Sequence, residues 1–268
     1  MHIHFLDPFV ANQSAIHRLD PRVKFVLAVA FILTVALAPS GAWPVYILLL
    51  ALALGVAVLS ELGVGFVLKR AALALPFVLA ALPVIFTLPG APLFSLPLGP
   101  WTLTGSAAGL ERFVSIALKS WISVQIAIVL SASTPFPDLM MAMRAVRVPR
   151  LLVTIFGLMW RYLFVLADEA MRLMRARSAR SGAAGQPGMK VGGSLPWRGR
   201  VAGGMAGNLF LRAIERSDRI YVALLSRGYD GEVRDLPLPP LRSFHWLLLA
   251  GGTALLVFLS AFGILFYG

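Results

Sequence analysis

Long uncharged apolar runs, separated by proline, glycine and short basic clusters, set the layout of this chain. Phe25–Ala38 ends at Pro39 and Trp43–Leu59 ends just before Glu61, and neither run holds a charge. Each is predicted to be a membrane-crossing helix, the two joined by a short loop. A third run, Ala71–Leu88, is interrupted by Pro76 and Pro83. It predicts a kinked span whose freed carbonyls are satisfied by neighbouring helices. After a Pro- and Gly-rich uncharged loop, Phe113–Ser133 is a fourth span carrying Lys119, and Phe244–Phe266 is the last.

Leu151–Ala167 is apolar except for Arg161, and charge decides its place. Were it to cross, the basic stretch that follows would lie opposite Arg18, Arg22 and Lys24, against the positive-inside rule. It is therefore predicted to stay on the cytoplasmic side. Five spans result, with the N-terminus, Lys69, Arg70 and residues 135–242 inside, and the loops 39–42 and 89–109 and the C-terminus outside. The domains are then 1–134 with four spans, 135–242 in the cytoplasm, and 243–268 with the fifth span.

Composition agrees with this layout. Of 268 residues, 59% are hydrophobic and 13% charged, where an ordinary soluble domain carries roughly 25% charged. A soluble globule is excluded. The surplus of 24 Lys and Arg over 12 acids belongs to cytoplasmic loops rather than to a nucleic-acid surface. No cysteine occurs, which removes disulfides, thiolate metal sites and cysteine nucleophiles. The N-terminus lacks a small-residue cleavage site after a short apolar core, so no cleaved signal peptide is expected.

The 135–242 stretch carries 17 Lys or Arg and eight acids, and is too apolar for a disordered tail. It is predicted to fold. Pro137 and Asp138 start a short helix ending before Pro149, and a long helix runs from Arg150 to about Ser181. Residues 182–204, dense in Gly and Pro, are expected to be a flexible connection. A second long helix follows from about Gly207 to Arg227, with Leu209, Ala213, Ile220 and Leu224 as its apolar stripe and Arg212–Glu215 and Glu215–Arg219 as pairs along it. Two amphipathic helices of this length make a docking platform. The fold class is all-α, a polytopic membrane protein.

Catalytic and metal chemistry find no constellation. Asp168 and Glu169 are adjacent and diverge by about 100° on a helix, so they read as a solvated face. His2, His4, His17 and His245 include no pair at ligand spacing, and no metal or cofactor site is assigned. Gly203, Gly204 and Gly207 lack the Lys-Ser or Lys-Thr of a phosphate-binding loop. Arg112 and Lys119 share a face within the fourth span. They serve either as a charged pathway for a self-sufficient carrier or as snorkelling side chains. The arginines stand out more: Arg175, Arg177 and Arg180 end the first long helix, and Arg227 ends the second beside Gly228. Helix-end electrostatics accounts for one such ending; two suggest equivalent plugs for two copies of a partner.

Several blocks resemble the transmembrane T component of energy-coupling factor (ECF) transporters, particularly the CbiQ and NikQ type of cobalt and nickel uptake systems. They are Ser14, His17–Arg22, Lys24; Thr134, Pro135, Asp138, Leu139; Arg147–Pro149; Arg161, Tyr162, Asp168, Glu169; and Phe210–Arg212 through Glu215, Arg216, Arg219 and Tyr221 to Arg227–Gly231. The resemblance implies two Ala-Arg-Gly-like tripeptides ending coupling helices, each inserting into a groove of one ATP-binding cassette ATPase. Ser226-Arg227-Gly228 matches the second. The first is Ala176-Arg177-Ser178 or Ala179-Arg180-Ser181. By the same resemblance, ATP is hydrolysed only in two partner ATPase subunits and substrate is bound by a CbiM-like membrane S component, with a small accessory membrane subunit beside it. The chain itself is then no enzyme, but a multi-pass component of the bacterial inner membrane that couples hydrolysis to cobalt or nickel uptake, or serves a vitamin transporter.

Overall fold

The computed structural model describes residues 8–98, 101–180, 194–230 and 240–267. It divides into two compact units, one of residues 2–147 with 238–268 and one of residues 148–237.

The first unit is a helical bundle built on α2 (Pro21–Leu37), α3 (Trp43–Leu59), α7 (Ala107–Ser133) and α11 (Ser243–Tyr267). The short α1 (Ala15–Arg18) precedes them. Val35, Val45, Leu49, Ala53 and Ile122 are fully buried, so the core lies where α2, α3 and α7 meet. α11 runs parallel to α2. A Cβ at Gly252 would come within 2.7 Å of Leu27 Cδ2, so the two helices approach closely there, and one at Gly263 would make ordinary contact with Pro39 Cδ at 3.5 Å, just past the end of α2. Polar faces are largely missing on these helices because their surroundings are hydrocarbon. α7 and α11 are long and apolar enough to cross a membrane, while α2 and α3, at 17 residues each, sit at the short end of what spans a bilayer.

The run 71–88 is not one kinked helix. α4 (Val64–Ala71) passes into a 3-10 turn over Ala72–Ala74, then α5 (Leu75–Leu79) and α6 (Val84–Thr87). Pro76 and Pro83 each remove a donor and clash with the preceding turn, and each stands at or just before a new helical start, where proline is tolerated. The loop expected over 89–109 holds an antiparallel hairpin, β1 (Pro92–Leu98) paired with β2 (Trp101–Ser106). Both strands of a two-stranded ribbon are edges, so Pro97 opposite Thr102 breaks no central ladder.

α2 and α7 run antiparallel, and each gives a lysine to the other's C-terminal carbonyls. Lys24 Nζ, buried, donates to Ser133 O at 3.0 Å; Lys119 Nζ donates to Ala38 O. The second contact gives Lys119 a structural place: it caps α2, 6.0 Å from the centre of the Tyr46 ring, and Tyr46 OH donates to Pro39 O at 2.5 Å. Gly41 N–H donates to Ser115 Oγ at 3.2 Å, closing the same turn.

The other end of α7 is closed from the N-terminal segment. Val10 N–H donates to Ala132 O at 2.9 Å, beside the Lys24 contact. His17 holds that segment, with Nε2 3.0 Å from Val10 O and Nδ1 2.6 Å from Ser14 Oγ. The neutral imidazole fits both contacts: Nε2–H donates to Val10 and Nδ1 accepts the Ser14 hydroxyl proton. Burial holds the His17 pKa below its ordinary value, outweighing the carbonyl contact that raises it. Asp20 Oδ1 accepts from Arg22 N–H at 2.9 Å, and Pro21 follows it, so Asp20 starts α2 in the register that aims Lys24 at α7. α8 (Phe136–Ala145) follows α7 and packs on α2.

These charged hydrogen bonds are each expected to contribute about 1.5–3 kcal/mol. Lys24→Met and Lys119→Met should therefore each lower the detergent-solubilised protein's thermal unfolding midpoint, whereas Lys69→Met, on α4, should leave it within experimental scatter. Equal midpoints for all three variants would dismiss the two caps.

Candidate functional site

The described residues of the second unit form two helices of 31 residues, α9 (Arg150–Arg180) and α10 (Leu195–Leu225). At 1.5 Å per residue each is about 46 Å long. α9 starts after Arg147, which adopts a left-handed conformation (φ 62°), and after Pro149. α10 begins twelve residues before the expected start near Gly207, so its first turns lie in what composition marks as a flexible connection. Ser194 precedes the helix with extended backbone and Pro196 stands in its first turn. Gly199, Gly203, Gly204 and Gly207 are helical, although among the described residues no group beyond their own helix turn lies within 4 Å of where their Cβ atoms would be. Such glycines each cost about 1 kcal/mol relative to alanine. Trp197, Val201, Met205 and Asn208, at helical spacing, turn one face of this glycine-rich half toward α9.

The two helices pack antiparallel. Ile155, Tyr162 and Leu166 of α9 face Ala213 and Ile220 of α10 across one cleft, and Ala176 and Arg180 face Trp197 and Val201 across another. Between the clefts Arg212 Nη1 meets Glu169 Oε1 at 2.5 Å, with Arg172 at 4.0 Å from the other carboxylate oxygen. Glu169 is thus a cross-helix partner, not part of a merely solvated face. Arg212 reaches it, and Arg219 Nε donates to the main-chain carbonyl of Glu215. An exposed ion pair of this kind stabilises little by itself; its consequence is to fix where the helices meet.

Antiparallel packing puts the two arginine endings on opposite sides of that crossing. Ala176, Arg177, Ser178, Ala179 and Arg180 form the last described turns of α9, with Ser178 Oγ donating to Arg175 O at 2.8 Å; Ser181 lies outside the described residues. At the end of α10, Gly228 N–H donates to Leu225 O and Tyr229 N–H to Leu224 O, both at 3.0 Å. With Gly228 at φ 77° this is a Schellman closure. Ser226 and Arg227 stand at the turn itself, and Arg227 is exposed. The Gly after Arg227 is thereby explained: it ends the helix in a conformation that L residues rarely adopt and fixes the direction in which the arginine leaves.

Among the described residues no cluster of three or more His, Asp or Glu could hold a metal ion; His2 and His4 lie outside them.

A family model described as cobalt transport protein, CbiQ, matches residues 12–237. The chain belongs to the CbiQ cobalt transport protein family. It is 27% identical over 237 residues to the cobalt transport protein CbiQ of Salmonella typhimurium, covering 83% of this chain and 96% of that one. To the energy-coupling factor transporter transmembrane protein EcfT of Lactococcus lactis it is 28% identical over 237 residues, 83% of each chain. An uncharacterised protein of Methanocaldococcus jannaschii shares 26% over 236 residues, 87% of this chain and 77% of its own. With its apolar helices, the CbiQ-family chain is a membrane component of a transporter. The match takes in both arginine endings and the block from Ser14 to Lys24 that closes α7.

Gly228→Ala should destabilise the end of α10 by about 1–2 kcal/mol, because the left-handed conformation is costly for a residue with a Cβ. Gly228→Asn should lose less. Hydrogen exchange at the amides of residues 224–229 reports this directly, and unchanged protection in the alanine variant would contradict the closure.

Proposed function

We propose that this CbiQ-family chain is the T component of an ECF importer, coupling ATP hydrolysis by two partner ATPases to cobalt uptake through a separate S component. The observation that carries the reading is the antiparallel helix pair, pinned at Glu169–Arg212, with an arginine ending on each side of the crossing. An arginine at a helix end presents a planar fork of donors to carbonyls or carboxylates of a groove. Two such ends suit two copies of one ATPase, and a pair of stiff helices pinned together transmits their relative movement.

In this reading residues 135–242 face the cytoplasm, together with the N-terminus, and the chain lies in the bacterial inner membrane. α9 is long and apolar enough to cross, but crossing would send its following arginines to the far side, against the positive-inside rule. Nickel is the companion substrate of the same reading. The comparable identity to an EcfT protein favours a second one, a T component that serves vitamin uptake. Uptake of radioactive cobalt against a vitamin by the reconstituted complex separates these.

Losing one partner of a desolvated charged contact costs about 2–5 kcal/mol. Arg227→Ala should therefore fold and insert normally yet retain less ATPase on a tagged chain, by at least tenfold, and lose uptake. Of Arg177→Ala and Arg180→Ala, one should behave alike and the other mildly. Lysine at these positions should rescue little, since a point charge does not reproduce the fork. Full retention and uptake in the triple variant would eliminate the plugs.

A further inference from the structure

The cleft between the C-terminal half of α9 and the N-terminal half of α10 holds about 750 Å³ and is lined by Arg172, Arg177, Arg180 and Arg212 above an apolar floor that includes Leu173 and Trp197. One carboxylate, Glu169, lies among them, and Arg212 occupies it at 2.5 Å. Among the described residues neither Arg177 nor Arg180 has a carboxylate partner. The cleft therefore keeps a surplus of positive charge facing an apolar surface. That pairing suits an amphiphile with an anionic head.

Its position along α9 points the same way. From Leu151 to Ala167 the helix carries one charge, Arg161; from Asp168 onward charges crowd every turn. The cleft begins at Glu169, where the apolar half of α9 gives way to its charged half. Trp197 is part of that apolar lining, and tryptophan favours the headgroup level of a bilayer. Guanidinium groups bind phosphate oxygens in pairs, and basic pockets at the cytoplasmic face are recognised sites for anionic lipid headgroups. We propose that this cleft binds the phosphodiester headgroup of an anionic phospholipid, its acyl chains lying along the apolar floor. The proposal rests on the reading above in one respect, that the helix pair lies at the cytoplasmic surface of the membrane. A bound lipid would fill the space beside Glu169–Arg212 and so hold the crossing of the two helices.

Titration of the purified full-length chain in neutral detergent with phosphatidylglycerol, phosphatidylcholine or inorganic phosphate, read by native mass spectrometry, tests this. One phosphatidylglycerol should be retained in clear preference to phosphatidylcholine, and inorganic phosphate should not compete at equal concentration. Each arginine near an anionic surface is worth about a fivefold change, so Arg172→Gln with Arg180→Gln should reduce the preference by about 25-fold. Arg175→Gln removes the same kind of charge from the same helix but outside the cleft, and should leave the preference within about twofold of wild type. Equal retention of the two lipids, an unaffected double variant, or an equal loss in Arg175→Gln would each overturn the site. So would displacement by inorganic phosphate, which would make it a free-anion site. An acidic partner segment in place of lipid would show as ATPase or S-component retention that depends on Arg172 with no lipid preference, which also overturns it. The titration contains no ATPase, so its outcome stands apart from whatever Arg227→Ala does to ATPase retention.

Discussion

The carbonyls at the C-terminus of α7 must find donors where little water is available, and the bundle is arranged around meeting that need. A helix end leaves its last carbonyls unpaired, and in an apolar setting each costs several kcal/mol. Val10 N–H and the Lys24 ammonium supply the donors for Ala132 and Ser133. Within the block from Ser14 to Lys24, Ser14 and His17 fix the backbone at Val10, and Asp20 with Pro21 sets the start of α2. Lys119 and Ser115 do the corresponding work at the other end of the antiparallel pair. α2 and α7 are thereby locked in register by contacts at both ends rather than by any polar face between them.

That lock matters for a transport component because α7 leads, through α8, to the two long helices. α8 packs on α2, so the chain leaving the bundle is held by the same helix that closes α7. The long pair is built differently. It has no buried residue of its own, large apolar side chains such as Leu151, Phe156, Phe210 and Leu211 are exposed on it, and its glycine-rich half gains little from intrinsic helix propensity. With no buried core of its own, such a pair sits at the low-stability end of the chain.

Much of this was legible in the order of residues. The unbroken apolar runs gave α2, α3, α7 and α11 because a spanning helix has to satisfy its own backbone and so needs length and hydrophobicity more than periodicity. Pro76 and Pro83 marked the break in the third run, though not that it divides into separate short pieces. Arg227-Gly228 marked the end of α10 through the glycine that a left-handed closure requires. Other features were hidden for identifiable reasons. The hairpin over 92–106 carries Pro92 and Pro97, which normally argue against strands, and only its two-edged pairing permits them. The first half of α10 has a composition that resembles a linker; the signal that could have found it was Trp197, Val201, Met205 and Asn208 at intervals of three and four. The roles of Lys24 and Lys119 depend on carbonyls 109 and 81 positions away in sequence, respectively, and no local pattern points to such a partner.

The account turns on the helix pair and the N-terminal closure lying on one side of the membrane, with the α2–α3 turn on the other. The native chain has no cysteine, so single cysteines at Ser40 and Ser194 can be labelled by a membrane-impermeant maleimide in intact cells. Labelling at Ser40 from outside, with Ser194 labelled only after the membrane is opened, is the predicted result. Outside labelling at Ser194 would contradict it, since the arginine endings could then reach no cytoplasmic ATPase.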